Sequence, residues 1–129
     1  MTPPNKKVLI VDDSRTIQEQ LRMILVEAGF QVFCAFDTMQ GMMMTQQMKP
    51  DLIIVDIQMP AGGGGMLIQR LKTISHTSQI PLIISTSLSR EEAEKVAAGH
   101  TNIRYVQKPI DPGGLVAEVR SLLGIIPDS

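Results

Sequence analysis

A single cysteine, Cys34, leaves no partner for an internal disulfide. A reduced, cytoplasmic setting fits that composition. Cys34 lies in the apolar segment from Val32 to Phe36 and reads as a small core residue rather than a reactive thiol. Positive charge is not in excess: 12 Lys and Arg stand against 13 Asp and Glu, for a formal net charge of -1. A nucleic-acid binder shows a basic stripe. None is visible here, so direct nucleic-acid binding is not expected. No apolar run approaches the ~20 residues that would cross a bilayer, so membrane insertion is not expected. The start of the chain does not read as a signal peptide, because Met1 to Lys7 is polar and the apolar run after it is short. Internal repeats, heptads and disordered stretches are absent as well.

What the chain does have is a repeated alternation of short apolar runs with helical patterns. Its 129 residues suit one domain. At 43% hydrophobic and 19% charged the balance is globular, and a chain of this size buries about two-thirds of its unfolded surface. Strands are expected at about Val8 to Val11, Gln31 to Phe36, Leu52 to Asp56, Leu82 to Thr86 and Ile103 to Gln107. The first helix opens at Ser14 as N-cap, keeps Ile17, Leu21, Ile24, Leu25 and Ala28 on one side, and stops at Gly29. A second helix runs from about Thr38 to Met48 and is stopped by Pro50. Met42, Met43 and Met44 within it pack the helix, with part exposed. A loop from Met59 through the glycines Gly62 to Gly65 then leads to a third helix, about Met66 to Ile74. The fourth, Ser89 to about Ala98, carries a capping box of Ser89 and Glu92. The fifth opens at Asp111-Pro112, with Leu115, Val116, Val119, Leu122 and Leu123 on its apolar side. Five βα units call for an α/β fold with a parallel sheet covered by helices on both faces. The tail after Gly124 is too short for an output domain, so one domain with a core of about residues 7–123 is expected.

In such sheets the ligand sits at the carboxyl ends of the strands. Charged residues mark those ends here. Val8 to Val11 runs into Asp12 and Asp13, Leu52 to Val55 runs into Asp56, and Ile103 to Val106 leads through Gln107 to Lys108-Pro109. Three carboxylates crowded together repel each other, and a hard cation such as Mg²⁺ relieves this with oxygen ligands. Asp56 is the best nucleophile candidate, since a carboxylate can attack a phosphoryl group and form an aspartyl phosphate. Lys108 would neutralise a phosphoryl oxygen. Positioning and charge neutralisation do most of the work in such a transfer. A hydroxyl from Ser85, Thr86 or Ser87 is placed to donate to the same group. Tyr105 reads by itself as an amphipathic residue at a sheet edge. His76 and His100 read as loop or surface residues. The glycine loop lacks the Gly-Lys-Ser/Thr of a P-loop.

Taken in order, Val-Leu-Ile-Val-Asp-Asp-Ser, Asp-Leu-Ile-Ile-Val-Asp-Ile-Gln-Met-Pro, a strand-four Thr and Tyr-Val-Gln-Lys-Pro resemble the receiver domain of bacterial two-component response regulators. The likeness extends from about Lys7 to Leu123. It implies a flavodoxin-like, doubly wound five-stranded sheet in the order 2-1-3-4-5 with five helices, as in stand-alone chemotaxis-type receivers. It implies that Asp56 accepts a phosphoryl group from a histidine kinase or phosphotransfer protein. Asp13, Asp56 and the backbone carbonyl of Gln58 would hold Mg²⁺ directly, and Asp12 would act through a metal-bound water. Thr86 takes the part of the switch hydroxyl, Lys108 that of the phosphate-contacting lysine before a cis proline, and Tyr105 that of the aromatic switch. The output would pass to a downstream protein, or to a second copy, through the fourth helix, fifth strand and fifth helix. The sequence departs from the family at the glycines after Met59-Pro60. Gln58 and Leu88 occupy two positions that tune dephosphorylation in the family.

Two other readings compete. One is an interaction module of the same fold that works without phosphorylation. The other is an Asp-nucleophile phosphohydrolase, an enzyme in the full sense. Many such hydrolases use a carboxylate two residues after the nucleophile as general acid and base. Gln58 occupies that position and cannot serve, so a phosphoacceptor switch rather than an enzyme is expected.

Overall fold

Strand and helix alternate through the computed structural model, which describes residues 6–59, 63–97 and 102–125. The elements are β1 (Lys7–Val11), α1 (Arg15–Glu27), β2 (Gln31–Ala35), α2 (Thr38–Met48), β3 (Leu52–Val55), α3 (Gly63–Thr73), β4 (Leu82–Thr86), α4 (Arg90–Val96), β5 (Ile103–Gln107) and α5 (Pro112–Leu123). All strand pairs are parallel, in the order β2-β1-β3-β4-β5. This is the doubly wound, flavodoxin-like arrangement. No helix among the described residues is long and apolar enough to cross a membrane.

The core divides by strand parity. Leu9, Val11, Ile53, Val55, Leu82 and Ile84 face Leu67, Ile68, Leu71 and Ala93 on one side of the sheet. Val8, Ile10, Leu52, Ile54 and Ile83 face Leu21, Leu25, Leu115 and Val119 on the other. Successive side chains of a strand point to opposite faces, so a strand covered on both sides must be apolar throughout. That is why β1, β3 and β4 read as uninterrupted runs.

Local signals set the helix ends. Ser14 accepts the Ile17 N–H at 3.2 Å, and Asp111 accepts the Gly114 N–H at 2.9 Å. After α1, Gly29 adopts φ 99° while Phe30 N–H reaches Leu25 O and Gly29 N–H reaches Val26 O, the paired closure of a Schellman motif. Ser89 accepts the Glu92 N–H, but the Glu92 carboxylate takes the Ser89 hydroxyl at 3.0 Å, so the return arm of the expected capping box is made side chain to side chain.

Two expectations are corrected. Helix α3 begins at Gly63, not near Met66, so three glycines assigned to the loop are helical. Burial of Leu67, Ile68 and Leu71 outweighs the poor helix propensity of glycine, and a Cβ on Gly65 would come within 3.2 Å of Val96 on α4. Cys34 lies on the edge strand β2 and is half-buried rather than a core residue; burial pushes its thiol pKa up. The methionine run divides as expected: Met42 and Met44 pack against the core and Met43 is exposed. His76 is exposed in the turn after α3. His100, Ala98 and the stretch 60–62 lie outside the described residues.

Candidate functional site

The sheet ladder does not end with the strands. Asp12 N–H bonds Ala35 O at 3.1 Å, Asp56 N–H bonds Val11 O at 3.0 Å, and Lys108 N–H bonds Thr86 O at 2.8 Å. Each site residue is thus one rung beyond its strand, with its backbone fixed by the neighbouring strand. The Lys108–Pro109 peptide is cis.

Asp12 and Asp56 are bracketed in the same way. One oxygen of each accepts the N–H two residues on, Ser14 for Asp12 and Gln58 for Asp56, both at 2.9 Å. The other accepts from Lys108, whose Nζ lies 3.1 Å from Asp12 Oδ2 and 3.3 Å from Asp56 Oδ2. Asp12 and Asp56 are buried and Asp13 is exposed, yet ligand oxygens of all three lie within 4.8 Å of one another. Burial is the largest influence on Asp12 and raises its pKa, against the opposing pull of the Ser14 N–H and Lys108. Burial also acts on Lys108, in the lowering direction, but Asp12 and Asp56 together outweigh it and hold that ammonium above its ordinary pKa. A protonated Lys108 between two acids is therefore the resting arrangement.

Glutamine Gln18 supports this rim from below. Its buried amide Nε2 donates to Ala35 O at 2.8 Å and to Ile10 O and Asp12 O at 3.1 Å. That ties α1 to the ends of β1 and β2. In the sequence Gln18 shows only as a polar residue within the apolar stripe of α1, at helical spacing to Leu21 and Leu25.

Of the three hydroxyl candidates, Ser85 is turned into the fold, buried and, among the described residues, without a hydrogen-bond partner. Thr86 shares the face of Leu82 and Ile84 and is buried at the strand end, and Ser87 is exposed beside it. The side chain of Gln58 reaches across to both. Its Oε1 accepts Thr86 Oγ1 at 2.7 Å, Ser87 Oγ at 2.6 Å and Ser87 N–H at 3.1 Å. This side-chain role was not anticipated from the sequence. Tyr105, opposite Ile84 in the ladder, packs on the same side of the sheet, with the Arg90 guanidinium 5.3 Å from its ring centre. A cavity of about 180 Å³ lies between Thr86, Leu88, Ala93 and Tyr105. A larger groove of about 670 Å³, between Ile24 of α1, its C-cap Ala28, and Val116 and Arg120 on α5, touches none of these residues.

Three carboxylates, hard oxygen donors close enough to share one ion, suit a cation such as Mg²⁺. Comparison with known proteins gives the same context. The profile of the response regulator receiver domain matches residues 8–120. The chain is 35% identical over 118 residues to protein PilH of Pseudomonas aeruginosa, covering 91% of this chain and 97% of that protein. It is 32% identical over 117 residues to the DNA-binding dual master transcriptional regulator RpaA of Synechocystis, covering 91% of this chain but only 48% of RpaA. It thus spans about half the length of that relative. Vibrio cholerae chemotaxis protein CheY4 has the same fold, with TM-score 0.83 at 26% identity over 90% of this chain and 97% of that one. By fold, by strand order and by the match along most of its length, the chain belongs to the receiver-domain family of two-component response regulators.

Proposed function

We propose that this receiver is a Mg²⁺-dependent phosphoacceptor switch, modified on Asp56. The observation that carries the reading is the bracket around Asp56. Its carboxylate is pinned by the Gln58 N–H and Lys108, beside two further acids able to share a divalent cation. Asp13, Asp56 and the Gln58 backbone carbonyl would hold the metal, with Asp12 acting through a bound water. When bound, Mg²⁺ supplies charge neutralisation for phosphoryl oxygens.

The remaining steps fall to the chain itself. An Asp56 oxygen attacks phosphorus, the bond to the donor's imidazole nitrogen breaks, and that electron pair leaves with the imidazole. Lys108, held by two carboxylates at rest, turns one hydrogen bond to a phosphoryl oxygen. The Thr86 hydroxyl donates to another. Tyr105 follows into the space beside Thr86, and the cavity of about 180 Å³ between them supports that movement. The face formed by α4, β5 and α5 then changes its affinity for a downstream protein or a second copy. The phosphodonor is a histidine kinase or a phosphotransfer protein. Turnover is confined to the chain's own phosphotransfer and slow self-dephosphorylation, because Gln58 offers no general base.

Incubation with Mg²⁺ and acetyl phosphate tests the reading. Wild type is expected to gain one acid-stable, base-labile adduct, and Asp56→Asn none. An unmodified wild type would overturn it. An adduct that persists in Asp56→Asn would reassign the acceptor.

A further inference from the structure

The Thr86 hydroxyl is already committed in this structure. Ser87 N–H can only donate, so the end of the Gln58 amide that faces it at 3.1 Å is the oxygen. The Leu88 N–H points at Thr86 Oγ1 from 3.3 Å and takes one of its lone pairs. The one proton of Thr86 therefore goes to Gln58 Oε1, at 2.7 Å. A hydroxyl that has given its proton to Gln58 cannot donate at Asp56. The same residue holds Asp56 through its backbone N–H at 2.9 Å. Gln58 thus bridges the loop after β3 to the loop after β4, with its main chain on the acceptor and its side chain on the switch.

We infer that Gln58 is a positioning residue that latches Thr86 in the unphosphorylated arrangement and so sets how readily the domain switches. This rests on Asp56 being the phosphoacceptor. A phosphoryl group on Asp56 must draw the Thr86 proton away from Gln58. It is able to, because a hydrogen bond to a charged oxygen is about twice as strong as one to a neutral amide. Until then the latch lowers the population of the competent state, and a ligand that selects that state binds more weakly by the same factor. Ser87 reinforces the latch by giving Gln58 two more donors. Removing the latch leaves the buried Thr86 hydroxyl without its acceptor at rest, which moves the balance toward the switched state.

Beryllium fluoride with Mg²⁺, a non-covalent stand-in for the phosphoryl group, provides the test. Its affinity is measured by titration calorimetry on wild type, Gln58→Leu, Ser87→Ala and the double variant. Gln58 is exposed, so the contact lies at the lower end for a neutral hydrogen bond. Gln58→Leu is expected to bind about two- to five-fold more tightly than wild type. Ser87→Ala should shift affinity in the same direction by less. The double variant should gain nothing beyond Gln58→Leu, because Ser87 acts through Gln58. Damage to the site weakens binding, so only release of an opposing contact tightens it. Equal or weaker binding in Gln58→Leu overturns the latch. Should that variant not fold, an unchanged Ser87→Ala does the same, and its surface position protects its folding. Absence of binding in wild type would remove the phosphoacceptor reading itself, a separate and visible result.

Discussion

Replacing Lys108 by methionine keeps the side-chain stem and removes the charge that Asp12 and Asp56 share. The ammonium is mostly buried, 17% exposed against 2% and 7% for the two carboxylates. Without it the two acids face each other across at most 4.8 Å. At an effective dielectric of about 20 this is a repulsion of roughly 3.5 kcal/mol. Proton uptake by Asp12 offers an escape. From an ordinary pKa of 3.8, neutralising that carboxyl at pH 7 costs about 4.4 kcal/mol. The lesser of the two sets the loss, so Lys108→Met should destabilise the metal-free protein by about 3–4 kcal/mol at pH 7, the range for breaking a buried pair. At pH 5 the protonation route costs only about 1.6 kcal/mol, and the loss should shrink to that size. The direction follows from proton binding. With Asp12 raised above its unfolded pKa, the native variant holds more protons than the unfolded chain, so stability is retained at low pH and lost as pH rises through the folded value. Urea unfolding in EDTA at the two pH values reads both numbers. Added Mg²⁺ should stabilise the variant more than wild type, since no ammonium then occupies the space between the acids. A loss under about 1 kcal/mol at pH 7, or an equal loss at pH 5, would refute the reasoning.

Two further predictions concern the frame. Gln18→Leu removes the amide that bonds three backbone carbonyls, and should cost about 2 kcal/mol with an unchanged dependence on urea; a loss below about 0.5 kcal/mol would show the clamp to be idle. Gly113→Ala, where an added Cβ meets nothing within 4 Å, should stabilise by about 0.5–1 kcal/mol. Gly41→Ala should not give that gain, because its Cβ would press on Val11 at 3.1 Å and Leu67 at 3.3 Å, both fully buried. Equal melting shifts for the two glycine variants would count against it.

Much of the rim was legible because the fold forces it into the open. A strand buried on both faces must be apolar until it leaves the sheet, so Asp12, Asp56 and Lys108 stand out where the runs stop. The choice of Thr86 over Ser85 and Ser87 came from resemblance to a family. In the structure the parity of β4 gives its physical ground, since Ser85 points into the opposite layer. The backbone role of Gln58 follows from the family resemblance, but its side-chain contacts with Thr86 and Ser87 join loops nearly thirty residues apart, and no local pattern encodes them. Gln18 left a readable trace, one amide in an apolar stripe. The early start of α3 left none, because glycine propensity points the other way and the contacts that override it are tertiary.

Thr86 belongs to two mechanical regimes at once. Its carbonyl is a rung of the sheet, holding Lys108 N–H at 2.8 Å, while its hydroxyl is held, among the described residues, by the exposed chain of Gln58 and the turn that follows. The acids beside it are anchored in the same ladder and have little room to travel. On the proposed reading, charge arriving at Asp56 would meet a stiff floor, and the hydroxyl of Thr86 would be the group beside it with freedom to rotate. Amide exchange should draw that border sharply, slow at Asp56 and Lys108 and fast at Ser87, so that motion begins within a single residue of where the chemistry stops.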